Sequence, residues 1–402
     1  MNRGALKPAI CFYRLRHPPG ALIACFASIQ GRKGNDVHEK NVLFRKTCPD
    51  PAGIGVRRRI FHLVCDGFRG CRIAKCTGIA ASQEKNPELM DAGKRKVIAE
   101  EALAKIDSRF PGLGQVRTSP LNQLRIRDIC ILPNDDGLYY LVAFGGARTA
   151  DGQFGRGFVT YVSEDLEQWR GPYPAFIPKE GTFWRIHDFW APELHCWKGN
   201  YYIFGTTGDD SHRGTQIFRS TSGNPAGPYE PVAPRPVTPE DWMCLDGTLY
   251  VDEAGDPWMV FCHEWVQVTD GTICAARLSD DFTHLEGEPI LLFHGSDGPN
   301  NHPDPGKDNY VTDGAYLFRE DGQLKMIWSG YDNGVYNLWL AVSESGKLQG
   351  PWKQIAKPFY TKDGGHGMHF VTFEGKHKII LHAPNRDSRA VLLDCDGKAV
   401  QP

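Results

Sequence analysis

The sequence lacks any long apolar run. No stretch of the 402 residues approaches the roughly 20 consecutive apolar residues of a membrane-spanning helix, so no membrane span is expected. The formal net charge is only −2, which gives no general reason to bind nucleic acid or an anionic lipid surface. The twelve cysteines include no repeated C-x₂-C pairing of the kind that marks a zinc site. What is present is a hydrophobic fraction of 41%, which is typical of a globular protein.

The small net charge conceals two unlike parts of the chain. Residues 1–76 carry 15 Lys and Arg against 4 Asp and Glu, a net charge of +11, whereas the remainder carries 31 against 44, a net charge of −13. Residues 1–85 show no sustained hydrophobic period, and we predict a basic, cysteine-rich and poorly ordered extension there. Its candidate export signal, Gly20 to Ile29, has an apolar core too short to be convincing. Residues 86–118 are predicted to form a helix, from Pro87 to Phe110, and a linker.

From about residue 119 the chain repeats a unit of short apolar strands separated by Gly, Asp and Asn turns. In the first unit, Leu138 to Phe144 and Gly157 to Val162 read as two such strands. Five units follow one another at intervals of about 50 to 70 residues. Three or four antiparallel strands in each unit are typical of a β-propeller rather than of a solenoid. The sequence therefore predicts an all-β fold, a five-bladed β-propeller over residues 119–402.

Acidic residues and one histidine recur where the innermost strand of each unit begins. In a propeller these strand starts face one end of the central channel, so their side chains are expected to converge on one pocket. The residues are Asp128, Glu193, Asp246, Asp313 and His366. Four acids at one mouth repel one another unless they share a cation, a proton or a substrate, and such crowding splits carboxyl pKa values into acid and base roles. Strand-start Asp residues also cap turn amides in many loops, but the recurrence in phase favours a site.

The ordered set of blade openings resembles glycoside hydrolase family 43. The resemblance covers residues 124 to about 386, and four openings carry it: Arg127-Asp128, Trp190-Ala191-Pro192-Glu193, Leu245-Asp246-Gly247 and Gly365-His366-Gly367. It implies a five-bladed propeller that acts as an arabinofuranosidase-like or xylosidase-like glycosidase on fragments of plant or microbial polysaccharides, with inversion. It also implies an oligosaccharide or polysaccharide as the binding partner, and it favours a secreted or periplasmic location that the sequence itself does not establish. No nucleic-acid partner is expected, given the small net charge.

Carried over to this chain, the resemblance makes Asp128 the general base that activates water. Asp246 would tune the pKa of the acid and orient the sugar. His366 would lie at the propeller axis, where relatives often hold calcium or another ion, so a structural calcium is expected there and no cofactor is expected for the chemistry. Base and acid of an inverting enzyme must be far enough apart to admit both the sugar and a water molecule.

The general acid departs from the family pattern. The fourth blade of the family usually opens with Glu-Gly-Pro, whereas this chain has Thr312-Asp313-Gly314-Ala315. Either Asp313 donates the proton, or Glu264, at the end of the third blade's second strand, has taken the role. We favour Glu264. It starts from a second strand, farther from the propeller axis than an innermost strand, but its side chain is longer than that of Asp, and the neighbouring Trp265 is expected to raise its pKa.

Aromatic residues beside the strand starts are the candidate sugar platform. Trp184, Trp190, Trp242 and Trp265 fall beside the strand starts and could form the platform. Of these, Trp190 and Trp265 are assigned to substrate binding, together with Glu193 and His187. For His187, a hydrogen bond within its own loop is an equally good explanation. Tryptophans inside the strands are predicted to pack between blades.

Two other functions are left open by the sequence. A non-catalytic carbohydrate-binding propeller would result if loss of the usual glutamate at position 313 had removed turnover. A protein-interaction propeller of the WD-repeat class is disfavoured, because the Gly-His and Trp-Asp signatures of those repeats are missing.

Overall fold

The computed structural model of the chain describes residues 26–29, 42–45 and 92–395, except residues 114, 115, 186, 210, 304 and 305. The chain divides into two compact units, Met1–Thr77 and Gly78–Pro402. In the first unit one antiparallel pair is described, strand β1 (Phe26–Ile29) with strand β2 (Val42–Arg45). The rest of the predicted basic extension, including its candidate export segment and its six cysteines, lies outside the described residues.

In the second unit, helix α1 (Ala92–Arg109) lies within the helix predicted from Pro87 to Phe110. Its sequence is rich in Ala, Lys and Glu, which are strong helix formers, and it ends before a 3-10 turn at Pro111–Leu113. Ala99 and Ile106 are buried in the main hydrophobic cluster of this unit. No helix among the described residues is long and apolar enough to cross a membrane.

Five antiparallel sheets follow in chain order and form five blades. Blade by blade, their strands are β3 (Arg117–Pro120), β4 (Cys130–Pro133), β5 (Tyr139–Arg148), β6 (Phe154–Ser163) and β7 (Gln168–Phe176); β8 (Phe189–Trp197), β9 (Asn200–Gly208), β10 (Arg213–Ser220) and β11 (Tyr229–Pro231); β12 (Cys244–Val251), β13 (Pro257–His263), β14 (Thr272–Leu278) and β15 (Leu285–His294); β16 (Asp313–Glu320), β17 (Gln323–Asp332), β18 (Val335–Ser343) and β19 (Trp352–Gln354); and β20 (Gly365–Val371), β21 (His377–Ala383) and β22 (Arg389–Asp394). A short helix, α2 (Trp265–Val268), follows β13. Further 3-10 turns lie at Leu121–Gln123 and Gly295–Asp297.

The innermost strands β4, β8, β12, β16 and β20 form a closed ring. Each contacts the next, and β20 contacts β4. Large aromatic side chains fill the seams between blades, as where Phe158 of the first blade packs on Phe189 of the second, with ring centroids 5.4 Å apart. The predicted five-bladed β-propeller is therefore confirmed.

Four of the five innermost strands carry the same irregularity close to the start. In the second to fifth blades, one extra residue is inserted relative to the neighbouring strand, for example between Trp190 and Glu193. Such a bulge bends the strand and redirects a side chain, and bulges are frequent beside active sites. One residue at the corresponding place in every blade has a positive φ: Asp128 (52°), Ala191 (43°), Asp246 (57°), Gly314 (52°) and His366 (49°). The repeat therefore sets a common backbone geometry at one end of the ring.

Candidate active site

A cavity of about 920 Å³ lies at the end of the ring where the bulges occur. Every blade contributes to its lining, because the starts of the five innermost strands lie at this end of the ring. Seven of the nine residues predicted for the site line this cavity: Asp128, Trp190, Asp246, Glu264, Trp265, Asp313 and His366.

Asp128 is buried, and its surroundings favour the ionised carboxylate. Burial alone would raise the pKa of Asp128, but the neighbouring side chains of His366, His382 and Arg127, with the hydrogen bond from Arg127, lower it below its usual value. Arg127 Nε donates to Asp128 Oδ2 at 3.1 Å, and this guanidinium is a permanent counter-charge. The other oxygen, Oδ1, is buried, with His366 Nδ1 at 3.4 Å and His382 Nδ1 at 3.3 Å, and it accepts no hydrogen bond from the described residues. Asp128 is thus an ionised carboxylate beside two imidazole rings.

His366 bridges two carboxyl groups near the propeller axis. Its Nδ1 lies 3.4 Å from Asp128 Oδ1 and 3.7 Å from Asp246 Oδ2. The backbone N–H of Gly314 donates to Asp246 Oδ2 at 2.9 Å. Burial, followed by the negative charge of Asp128, raises the pKa of Asp246 well above its usual value. The two Asp residues therefore differ in how readily they lose a proton, although they face one imidazole.

Asp313 lines the cavity at the start of β16 and is also driven towards the protonated form. Burial, together with the negative charge of Asp246, raises the pKa of Asp313 to about 7. The hydroxyl of Tyr336 donates to Asp313 Oδ2 at 3.2 Å. At neutral pH this carboxyl group is therefore close to half protonated.

Glu264 lies between β13 and α2, where its backbone N–H donates to the carbonyl of Met243 at 2.8 Å. Its side chain is buried and accepts a hydrogen bond at Oε2 from Arg213. Burial raises the pKa of Glu264, and the guanidinium of Arg213 opposes that rise only in part. The same guanidinium lies over the ring of Trp190, 4.4 Å from the ring centroid. Arg213 therefore ties the candidate acid to the candidate sugar platform.

The bulges correct the predicted positions in the second and fourth blades. The structural equivalents of Asp128, Asp246 and His366 are Ala191 and Gly314, not Glu193 and Asp313. Glu193 lies two residues beyond Ala191 and does not line the cavity; its Oε2 lies 3.0 Å from Nε2 of the buried His195. Asp313 comes one residue before its bulge position, yet its side chain still reaches the cavity.

The predicted platform residues do not all lie in the cavity. Trp190 and Trp265 line it, and Trp190 is 37% exposed, so the ring face opposite Arg213 is available to a ligand. His187 is exposed in the loop before β8, outside the cavity lining.

Three residues of the site were missed in the sequence. Tyr336 contacts Asp313, Arg213 contacts Glu264, and His382 Nδ1 accepts a hydrogen bond from the backbone N–H of Asp128 at 3.2 Å. Burial lowers the pKa of His382 to about 4, so its ring is neutral at neutral pH and can accept this bond. A histidine at the end of the apolar run 378–382 was a signal for His382, whereas nothing in the sequence marked Arg213.

The side chains around His366 supply few of the ligands that calcium requires. Calcium takes six to eight oxygen ligands in proteins. The carboxylate oxygens within 4 Å of His366 Nδ1 belong to Asp128 and Asp246, so water would have to supply most of the coordination. The calcium at His366 stays a prediction, and no step proposed below depends on it.

Comparisons with known proteins agree with the five-bladed fold. Residues 117–394 match the model of glycosyl hydrolases family 43. The chain is similar to a solved structure described as an endo-arabinase from Bacteroides thetaiotaomicron, with 38% identity, a TM-score of 0.62, and 69% of this chain and 96% of that chain covered. An endo-1,4-beta-xylanase from the same organism shares the fold, with 23% identity, a TM-score of 0.56, and 71% and 96% covered.

A curated relative is more distant. The beta-D-galactofuranosidase xynD of Aspergillus niger is 21% identical over 263 residues, which cover 59% of this chain and 70% of that protein. The family match spans more than half of the chain and contains the whole cavity lining. The chain therefore belongs to glycosyl hydrolases family 43, and it is an inverting glycosidase that acts on carbohydrate.

Proposed function

We propose that this glycosidase cleaves arabinofuranosyl linkages in fragments of plant or microbial polysaccharides, with Asp128 as general base and Glu264 as general acid. The observation that carries the proposal is the separation of carboxyl pKa values within one cavity. The pKa of Asp128 is lowered, whereas the pKa values of Glu264 and Asp313 are raised. An ionised carboxylate takes a proton from the attacking water, and a protonated carboxyl group gives one to the leaving oxygen. A binding module without turnover does not require this separation.

The base and its supports come from the first and fifth blades. Arg127 fixes one oxygen of Asp128 and leaves Oδ1 to bind and deprotonate the water. His366 lies between Asp128 and Asp246, and its proximity lowers the pKa of Asp128, which favours the ionised form. Asp246, with a raised pKa, can donate a hydrogen bond to a sugar hydroxyl while it remains protonated.

Two carboxyl groups compete for the role of acid. Asp313 has the pKa of about 7 that suits an acid, and in both groups burial raises the pKa and one oxygen is engaged, Oδ2 of Asp313 by Tyr336 and Oε2 of Glu264 by Arg213. Glu264 has the longer side chain, is attached to the platform through Arg213, and keeps a raised pKa despite that ion pair. We therefore assign proton donation to Glu264 and the orientation of sugar hydroxyls to Asp313.

The sugar class follows from the relatives. The endo-arabinase relative is named for the hydrolysis of arabinan, and the curated relative for the hydrolysis of galactofuranosides. Both names describe sugars with five-membered rings, which favours a furanoside over a xyloside as the substrate of this chain.

A substrate screen tests the sugar and the mechanism. Nitrophenyl α-L-arabinofuranoside, β-D-galactofuranoside and β-D-xyloside would be assayed beside arabinan, with the anomer of the first-formed product followed by NMR. We expect hydrolysis of the arabinofuranoside or of arabinan, and an inverted product. Preference for the xyloside would reject the furanoside assignment. Binding of arabinan without hydrolysis of any substrate would instead favour the non-catalytic propeller.

The dependence on the leaving group tests the acid. A dinitrophenyl leaving group barely needs protonation, whereas a sugar leaving group does. If Glu264 is the acid, Glu264→Gln loses about 10²-fold or more in kcat on oligosaccharides and much less on the dinitrophenyl glycoside. The matched variant Asp313→Asn should lose activity equally on both. The opposite pattern would assign the acid to Asp313.

A further inference from the structure

The hairpin between β5 and β6 projects from the first blade at the cavity end of the ring. Strand β5 pairs with β4 only as far as Val142, but it pairs with β6 as far as Arg148. Phe144, two residues beyond Val142, lines the cavity. Strand β5 continues for four residues beyond Phe144, to Arg148, which is about 14 Å at the usual rise of a strand.

One face of this hairpin is closed. Directly paired residues share a face, and Gly145, Ala147, Gly155 and Gly157 make up this one. Side chains at Gly155 and Gly157 would clash with Ile177 and with the carbonyl of Phe176. The hairpin therefore lies close against the chain that follows β7, which holds it in place.

The opposite face is open towards the tip of the hairpin and carries the side chains of Phe144, Arg156, Phe154 and Arg148, with the buried Phe158 at its base. The guanidinium of Arg156 lies over the ring of Phe144 at 4.8 Å. The ring of Phe154 lies over Gly146, where any side chain would clash with it. Phe154 is 67% exposed, which is unusual for a phenylalanine held against backbone.

This face extends towards the second blade. Phe158 pairs directly with Phe144 and so shares this face, and Phe158 packs on Phe189. Phe189 and the adjacent Trp190 line the cavity. A ligand that leaves the cavity along Trp190 therefore meets the open face of the hairpin.

We propose that Phe144, Arg156 and Phe154 form a further glycosyl-binding subsite for a second part of the same polysaccharide chain. A sugar ring presents a face of C–H groups that packs on an exposed aromatic ring, and a guanidinium donates several hydrogen bonds to hydroxyl oxygens. The inference rests on the proposed function, because it takes the occupant of the cavity to be part of a longer glycan. It predicts that the enzyme discriminates polymers from single glycosides through the hairpin.

The test compares Phe154→Ala with wild type on a nitrophenyl arabinofuranoside and on arabinan. We expect kcat/KM for arabinan to fall about three- to tenfold, mainly through KM, while the value for the nitrophenyl glycoside stays unchanged. Phe154→Trp should keep the arabinan activity. Leu291→Ala, which removes another exposed side chain from the outer strand β15, is the matched control and should change neither value.

A binding measurement separates this inference from the proposed function. In the Asp128→Asn background, retention in an arabinan-containing gel should be weaker when Phe154→Ala is added. If wild type hydrolyses no substrate, the proposed function is rejected. The subsite is still tested in that case, by comparing gel retention of the Asp128→Asn protein with and without Phe154→Ala. Equal losses on both substrates, or unchanged arabinan activity together with unchanged retention, would overturn the subsite.

Discussion

Among single residues, Asp128 is the buried carboxyl group whose neighbours favour the ionised form. An acid buried this deeply would ordinarily keep its proton, and its neighbour Asp246, with a raised pKa, follows that rule. At Asp128 the nearby His366, His382 and Arg127 side chains outweigh the effect of burial, and Arg127 adds a hydrogen bond to Oδ2. The basic side chains gathered around Asp128 therefore make two buried carboxyl groups chemically different.

Replacement of Asp128 by Asn should separate catalysis from binding. The amide keeps the shape of the side chain but cannot accept the proton of water, so kcat should fall by about 10²–10⁴-fold. The affinity for an oligosaccharide, measured by calorimetry, should change little. A variant that kept more than about a tenth of wild-type turnover would show that another group is the base.

The raised pKa of Asp313 predicts how stability depends on pH. Its pKa is about 7 in the folded protein and 3.8 in the unfolded chain, so between these values the folded state binds more protons. The free energy of unfolding should therefore fall as pH rises from about 4 to 7. Asp313→Asn removes this dependence. The free energy of unfolding of the variant relative to wild type should therefore be higher at pH 8 than at pH 4, by on the order of 1–4 kcal/mol. Denaturant titrations at the two pH values measure the difference, and an equal effect at both would refute the raised pKa.

At the scale of strands, the sequence predicted the number and order of the blades but not the register at which they start. Alternation and turn residues reveal strands, because they reflect burial and chain reversal. A bulge inserts a single residue and leaves no such pattern. From the sequence alone, Glu193 and Asp313 are therefore predicted to be the equivalents of Asp128. The equivalent positions, at the bulges, are held by Ala191 and Gly314, whose side chains give no sign of a functional site.

The bulge in the fourth blade leads to a prediction for Gly314. Its φ is 52°, and a Cβ at this position would lie 2.8 Å from Nδ1 of His366. Gly314→Ala should cost about 1–2 kcal/mol of stability for the backbone conformation and should also displace His366, with a loss in kcat/KM of about tenfold or more. Gly322→Ala is the matched control, since Gly322 also has a positive φ (77°) but has no atom within 4 Å of a Cβ. Thermal unfolding should show the larger loss for Gly314→Ala, because only that variant adds the clash, and activity should fall in that variant alone; equal activities would mean that His366 tolerates the displacement.

At the scale of the molecule, the ring is closed by side chains and not by a shared strand in the described sheets. Each described blade is built from consecutive strands, so the seam between the fifth and first blades depends on contacts such as Tyr139 with Phe373, whose ring centroids lie 4.4 Å apart. Helix α1 reinforces this seam. Arg95 donates to the carbonyl of Glu164 in the first blade at 2.8 Å, and its guanidinium lies over the ring of Phe373 at 4.9 Å. Because Asp128 and His366 stand on opposite sides of the seam, its closure also sets the active-site geometry.

This arrangement predicts where the chain can be shortened. A protein of residues 86–402 keeps α1 and all five blades, so it should fold, remain soluble and unfold at nearly the same temperature as the full chain. A protein of residues 111–402 loses the burial of Ala99, Ala102 and Ile106 together with both contacts of Arg95, and its unfolding temperature should be lower by at least about 5 °C. Its kcat should fall as well, because a loosened seam lets Asp128 move relative to His366. Insolubility of the 86–402 protein beside a folded full-length chain would show that the basic segment is needed, and an unchanged unfolding temperature for the 111–402 protein would show that α1 does not stabilise the seam.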